Sequence, residues 1–246
     1  MPEAEPATRS TPAQPVHEHH HRKVQGGAAR AAVFGVSDGL VSNVSLILGV
    51  AGANPGPGVV RLAGLAGLVG GAFSMAAGEY VSMRAQTELL ERELELERTE
   101  IRRRPELERQ ELAAIYESRG IKPDVAEELA TEMHRDPNLA LETHAREELG
   151  IDPSELGSPV QAAVSSFLAF AAGAVLPLVP WFFARGTAAV VASVVMAGVV
   201  AAGVGVGLSA FTGRSALRSA LRQLTIAGAA AGVTFALGNA VGAGVT

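Results

Sequence analysis

The sequence predicts an all-α integral membrane protein, with five transmembrane helices and an acidic, water-facing helical domain inserted between helices 2 and 3. Three observations carry this. Hydrophobic residues make up 48% of the 246 residues and charged residues 18%, short of the roughly 25% charge of an average soluble domain. The charge is also segregated: of 25 acidic residues, 20 lie between Ala85 and Leu156, where ten Arg and Lys leave a net −10. Beyond that stretch and the first 20 residues, the acids are Asp38 and Glu79. Finally, five apolar runs flank the acidic stretch. Each has the roughly 20 residues needed to cross a ~30 Å hydrocarbon layer as helix.

The elements follow in order. Residues 1–29 hold four Pro and the run His17-Glu18-His19-His20-His21, with no apolar period; they read as a disordered arm and not as a secretory signal. The apolar runs are Ala31–Ala53, Val59–Met83, Val160–Phe183, Thr187–Phe211 and Leu221–Val245, the first two separated by Asn54-Pro55-Gly56-Pro57-Gly58. This divides the chain into 30–84 (helices 1–2), 85–156 (the insert) and 157–246 (helices 3–5). The spans are rich in Gly, Ala and Ser, which lets bilayer helices approach closely. A soluble protein with five buried helices would need far more polar helix to cover them.

Arg and Lys in the connections set the orientation. Arg22, Lys23 and Arg30 lie on the N-terminal side, and Arg214, Arg218 and Arg222 follow the fourth span; the opposite side has Arg61 and Arg185. The N-terminus, the insert and the 214–222 connection are therefore expected in the cytoplasm. An odd span count without an internal repeat points to a homodimer as the symmetric unit. The absence of Cys excludes disulfides, thiolate metal sites and Cys nucleophiles. The acidic balance excludes nucleic acid as a partner. Eighteen Arg against two Lys suit a GC-rich prokaryotic genome, which would put the chain in the plasma (inner) membrane.

Within the insert, residues Arg84–Arg104 contain neither Gly nor Pro, and Pro105 starts a second helix that runs to Gly120. A third runs from Pro123 to about His134 and a fourth from Pro137 to Leu149, closed by Gly150. Glu97 and Glu100 share a face of the first helix, and Glu108 and Glu111 a face of the second. If the helices fold back at Pro105, the four carboxylates converge, and His144 and Glu148 can join them from the last helix. Glu-rich helices are also ordinary solvated faces, so spacing alone leaves metal binding and a bland surface both open.

In the spans, Asp38 and Glu79 are the strongest signal, because a carboxylate there costs about 2.5–3.5 kcal/mol on insertion scales. Ser42 and Ser45 share the helix face of Asp38, and Met75 lies one turn from Glu79. Carboxylates, hydroxyls and a thioether between helices suit a divalent transition metal better than Mg²⁺; acids resting inert in the headgroup zone are the alternative. His17–His21 matches H-E-x-x-H but lacks the stable helix a zinc protease needs. Pro177 and Pro180 break or kink the third span. No Walker A, G-x-S-x-G or Rossmann motif is present, so no enzyme and no resident cofactor is expected.

Ser37-Asp38-Gly39-Leu40-Val41-Ser42-Asn43, the stretch Gly71 to Ser82, the Glu-rich insert and Ala172-Gly173-Ala174-Val175-Leu176-Pro177-Leu178 resemble the vacuolar iron transporter family over about residues 30–245. The resemblance implies a homodimer of five-span chains that exports Fe²⁺, often also Mn²⁺, from the cytosol in exchange for protons. It implies that Asp38, Met75 and Glu79 line the path at the dimer interface. It further implies that Glu97, Glu100, Glu108, Glu111 and Glu148 capture metal. Where some members have a Met pair, this chain has His144-Ala145, which opens the preference to Zn²⁺ as well. Two other functions stay open: a divalent carrier uncoupled from protons, which uses the same residues, and a membrane-anchored metal buffer or sensor, which keeps the insert's sites without needing Asp38.

Overall fold

A computed structural model describes residues 27–243. The expectations for the N-terminal arm and its His17–His21 run fall outside this range. Nine α-helices make up the described chain, with no strand among the described residues. They are α1 (Gly27–Gly52), α2 (Pro57–Arg103), α3 (Pro105–Ser118), α4 (Pro123–Met133), α5 (Pro137–Glu147), α6 (Pro159–Val175), α7 (Pro180–Phe183), α8 (Gly186–Thr212) and α9 (Ala216–Ala243). Proline sits in the first turn of α2 through α7, where its missing N–H is no loss and its fixed φ suits the helix.

Five stretches are long and apolar enough to cross a bilayer: Phe34–Gly52, the helix Pro57–Arg103, Pro159–Phe183, Gly186–Ala210 and Ala216–Ala243. They form one bundle in which α1 is central, packed against α2, α6, α8 and α9. Leu40, Val44 and Leu48 of α1 bury themselves against Ala197, Ala201 and Ala227. One turn round the helix, Ile47 meets Val60, Leu178 and Trp181. Small residues allow the closest approach. A Cβ on Gly39 would run into the Phe170 carbonyl of α6, and one on Gly173 into the Val36 carbonyl of α1. Two backbones meeting this way leave room for hydrogen alone, as bilayer helices use it. Asn43, buried, donates from Nδ2 to the Ala174 carbonyl at 2.6 Å across the same seam.

The third span breaks where its prolines predict, into a 3₁₀ turn over Leu176–Leu178 and then α7. Pro177, Leu178 and Trp181 are buried, and the Ser193 hydroxyl of α8 donates to the Pro177 carbonyl at 2.7 Å. The break is thus packed and satisfied by protein. The fifth span starts earlier than hydropathy suggests, at Ala216. Arg218 and Arg222 therefore ride on the first turns of α9, and Arg214 alone of the three lies in the connection. Nothing from Ala216 to Ala220 breaks a helix, and arginine propagates one well.

α2 is continuous for 47 residues, about 70 Å at ~1.5 Å per residue, more than twice the hydrocarbon thickness. Its apolar half ends near Met83, and the charged half carries the acidic helices. α3 packs on α4 through Leu112, Ala113, Tyr116, Ala126 and Ala130, while α5 lies on α2 through Ile101, Ala140 and Leu141. Arg109 bridges Glu106 and Glu127, and Arg119 bridges Glu147, tying α3 to α4 and α5.

Candidate metal centre

The chain turns from α2 into α3 at Arg104, which brings Glu97 of α2 beside Glu108 of α3. Glu97 precedes the buried Ile101 by one turn, and Glu108 precedes the buried Leu112 by one turn. Each carboxylate therefore points inward beside an apolar anchor. α5 closes the third side with His144, fully buried between Leu141 and Ala145. Gly150 then takes φ +65°, and the Ile151 N–H bonds back to the Ala145 carbonyl at 2.8 Å. This left-handed stop holds Glu148 as the C-cap of α5.

One ligand atom from each of Glu97, Glu108 and His144 lies within 4.8 Å of the others, and all three residues are buried. His144 Nδ1 is 3.1 Å from Glu97 Oε1 and 3.3 Å from Glu148 Oε2. Even so, Glu97 Oε1 makes no hydrogen bond of sound geometry. An orphaned buried carboxylate oxygen is costly, since unsatisfied buried charge loses its full hydration.

Electrostatics make the same point. Burial, then the charges of Glu148, Glu108, Glu100 and Glu111, push the Glu97 carboxyl up to about 7. Burial and the Glu111 charge also raise Glu108. All five glutamates singled out by spacing are thus within electrostatic reach of one another, Glu97, Glu108 and His144 as the buried centre, Glu100, Glu111 and Glu148 more exposed around it. Carboxylate oxygens with an imidazole nitrogen fit a divalent transition metal. Sequence reasoning missed His134, at the end of α4. Its Nε2 lies 3.3 Å from His144 Nε2, and burial lowers its pKa. No spacing rule links it to His144.

In the bundle, Asp38, Ser42 and Met75 line one open cavity of about 340 Å³, with Asn43, Ser74 and Phe170. Asp38 and Ser42 are exposed in the single chain, whereas Ser45 is buried, and the Ser42 hydroxyl is spent on the Asp38 carbonyl at 2.6 Å. Glu79 is half-buried one turn from Met75 and is not among the residues lining this cavity.

Five lipid-length helices packed as one bundle, with ligand-type side chains both in the bundle and outside it, define a multi-pass membrane protein. Residues 29–239 match the VIT family, and the chain belongs to that family. Among its relatives, vacuolar iron transporter 1 of Arabidopsis thaliana is 32% identical over 227 residues, 91% of either chain. Vacuolar iron transporter 1 of Eucalyptus grandis is 31% identical over 217 residues, 88% of this chain and 87% of its own. A vacuolar iron transporter of Acanthamoeba castellanii is 40% identical over 162 residues, 65% of this chain and 58% of its own. The resemblance read from Ser37–Asn43 and Gly71–Ser82 is borne out. The relatives are named as transporters and none as an enzyme.

Proposed function

We propose that the protein exports Fe²⁺ from the cytosol across the membrane in exchange for protons, with Mn²⁺ or Zn²⁺ as further cargo. The observation that carries this is the buried Glu97–Glu108–His144 cluster, with its orphaned carboxylate oxygen; its Glu97 stands on the same unbroken helix that bears Met75 and Glu79. In this scheme the insert is cytoplasmic and captures the ion. Glu97, Glu108 and His144 hold it, and Glu100, Glu111 and Glu148 draw it in. A carboxyl raised to about 7 gives up its proton when a cation arrives and regains it when the cation leaves.

The ion then passes to Asp38, Met75 and Glu79. An exposed carboxylate on the bundle's flank is expensive against lipid, and the cavity at Asp38 is open. A second copy seated over α1 and α2 removes that cost and closes the path, which supports a homodimer. The arginine bias supports a cytoplasmic N-terminus and insert, and the arginine-rich composition supports the plasma membrane of a prokaryotic cell.

The test is uptake in proteoliposomes. Fe²⁺ is added on the insert side, and metal and proton movement are followed together by entrapped dyes. Expected are Fe²⁺ entry with counterflow of protons, both lost in Asp38→Ala and in Glu79→Ala. Entry that ignores an imposed pH gradient would show an uncoupled carrier. Metal binding without any flux would show a buffer.

A further inference from the structure

The pair His134–His144 joins two helices that share no sequence period, and its hydrogen bonds determine which nitrogen of His144 is free. His134 Nδ1 lies 2.9 Å from the Ala130 carbonyl, an acceptor that cannot donate, so Nδ1 carries a proton. The same carbonyl takes the His134 backbone N–H at 3.1 Å. Neutral His134 therefore presents a bare lone pair at Nε2. At 3.3 Å across the T-shaped contact of the rings, 87° between planes, His144 Nε2 must be the donor. In the neutral ring that leaves His144 Nδ1 as a lone pair, 3.1 Å from Glu97 Oε1 and 3.3 Å from Glu148 Oε2. An imidazole nitrogen and two carboxylate oxygens thus converge, a donor set that a divalent cation fits.

We propose that His134 is a positioning residue of the metal centre. By accepting the Nε2 proton of His144 and passing the polarisation to the Ala130 carbonyl at the end of α4, it fixes His144 in the tautomer whose Nδ1 binds metal. Ligating histidines are oriented in this way by an acceptor on their second nitrogen. Here the acceptor is another imidazole. α4, which contributes no metal ligand, thereby becomes part of the site. The inference rests on the reading that the Glu97–Glu108–His144 cluster binds metal.

The experiment uses the full-length chain in detergent, labelled with ¹⁵N-histidine, with His144→Gln to assign the signal. Long-range ¹H–¹⁵N correlation on metal-free protein reads the tautomer of His144, whether or not metal binds. The expected result is a protonated Nε2 and a bare Nδ1. A proton on Nδ1 overturns the inference. Co²⁺ is then titrated and its visible absorption followed in wild type, His134→Phe and His134→Gln. The phenylalanine variant keeps a ring but offers no acceptor, and Co²⁺ affinity should fall 10- to 100-fold. The amide oxygen of glutamine can accept the same proton, so His134→Gln should stay within a few-fold of wild type. Equal affinity in wild type and His134→Phe overturns the inference, as does equal loss in both variants. Failure of Co²⁺ to bind wild type at all would instead refute the cluster as a metal site, leaving the tautomer result to stand by itself.

Discussion

Glu97→Gln should stabilise the metal-free protein at neutral pH, although it removes a proposed ligand. Glu97 is 5% exposed, and its carboxyl sits at about 7 in the fold against 4.5 ordinarily. Between those values the folded state holds a proton that the unfolded chain has lost, so unfolding stability falls as pH rises through the window. A shift of about 2.5 units at ~1.36 kcal/mol each sets an upper bound on the order of 3 kcal/mol, fully incurred by about pH 8. Glutamine is neutral throughout and does not incur it. Thermal unfolding of the full chain in detergent with a chelator, from pH 5 to pH 8, measures this. Wild type should lose stability across the range. Glu97→Gln should show a flatter profile, matching wild type at pH 5 and exceeding it by several degrees at pH 7.5. Saturating Fe²⁺ should reverse the order at pH 7.5. A variant that is less stable than metal-free wild type at pH 7.5, or that keeps the full pH slope, would refute the reasoning.

Four further outcomes are expected. Asp38→Asn should abolish Fe²⁺ flux in proteoliposomes while leaving Co²⁺ absorption at the insert unchanged, separating passage from capture; loss of both signals would contradict that division. His144→Ala should lower the affinity for Zn²⁺ and Fe²⁺ alike by at least about tenfold, since it removes an imidazole that suits both metals; metal titration of the full chain reads the loss, and unchanged affinity would exclude His144 as a ligand. Gly39→Val should destabilise the bundle by about 2 kcal/mol or more, because its side chain has no room before the Phe170 carbonyl. Gly203→Ala, with open space around it, should be neutral or slightly stabilising in thermal unfolding.

The spans were legible because crossing a bilayer fixes both length and composition, and α3 to α6 because proline marks each start. The convergence of Glu97, Glu108 and His144 was legible only in part: glutamates three apart on two helices joined at Pro105 could meet, but the same spacing also suits a solvated face. His134 was not, since its partner comes from another helix and only the packing of α4 brings the rings together. The start of α9 was misjudged because hydropathy scores arginine as a boundary, whereas a helix accepts it. Asn43 and Phe170 beside Asp38 were equally hidden, one being a short polar residue within an apolar run and the other a typical span residue.

The unbroken passage of α2 from the bundle into the acidic helices has a mechanical consequence. With no hinge between Met83 and Arg103, roughly 30 Å of rigid rod, a tilt of about 10° within the bilayer swings the far end by about 5 Å. Rocking of the embedded half would reach the Glu97 carboxylate as leverage, with no loop to absorb it.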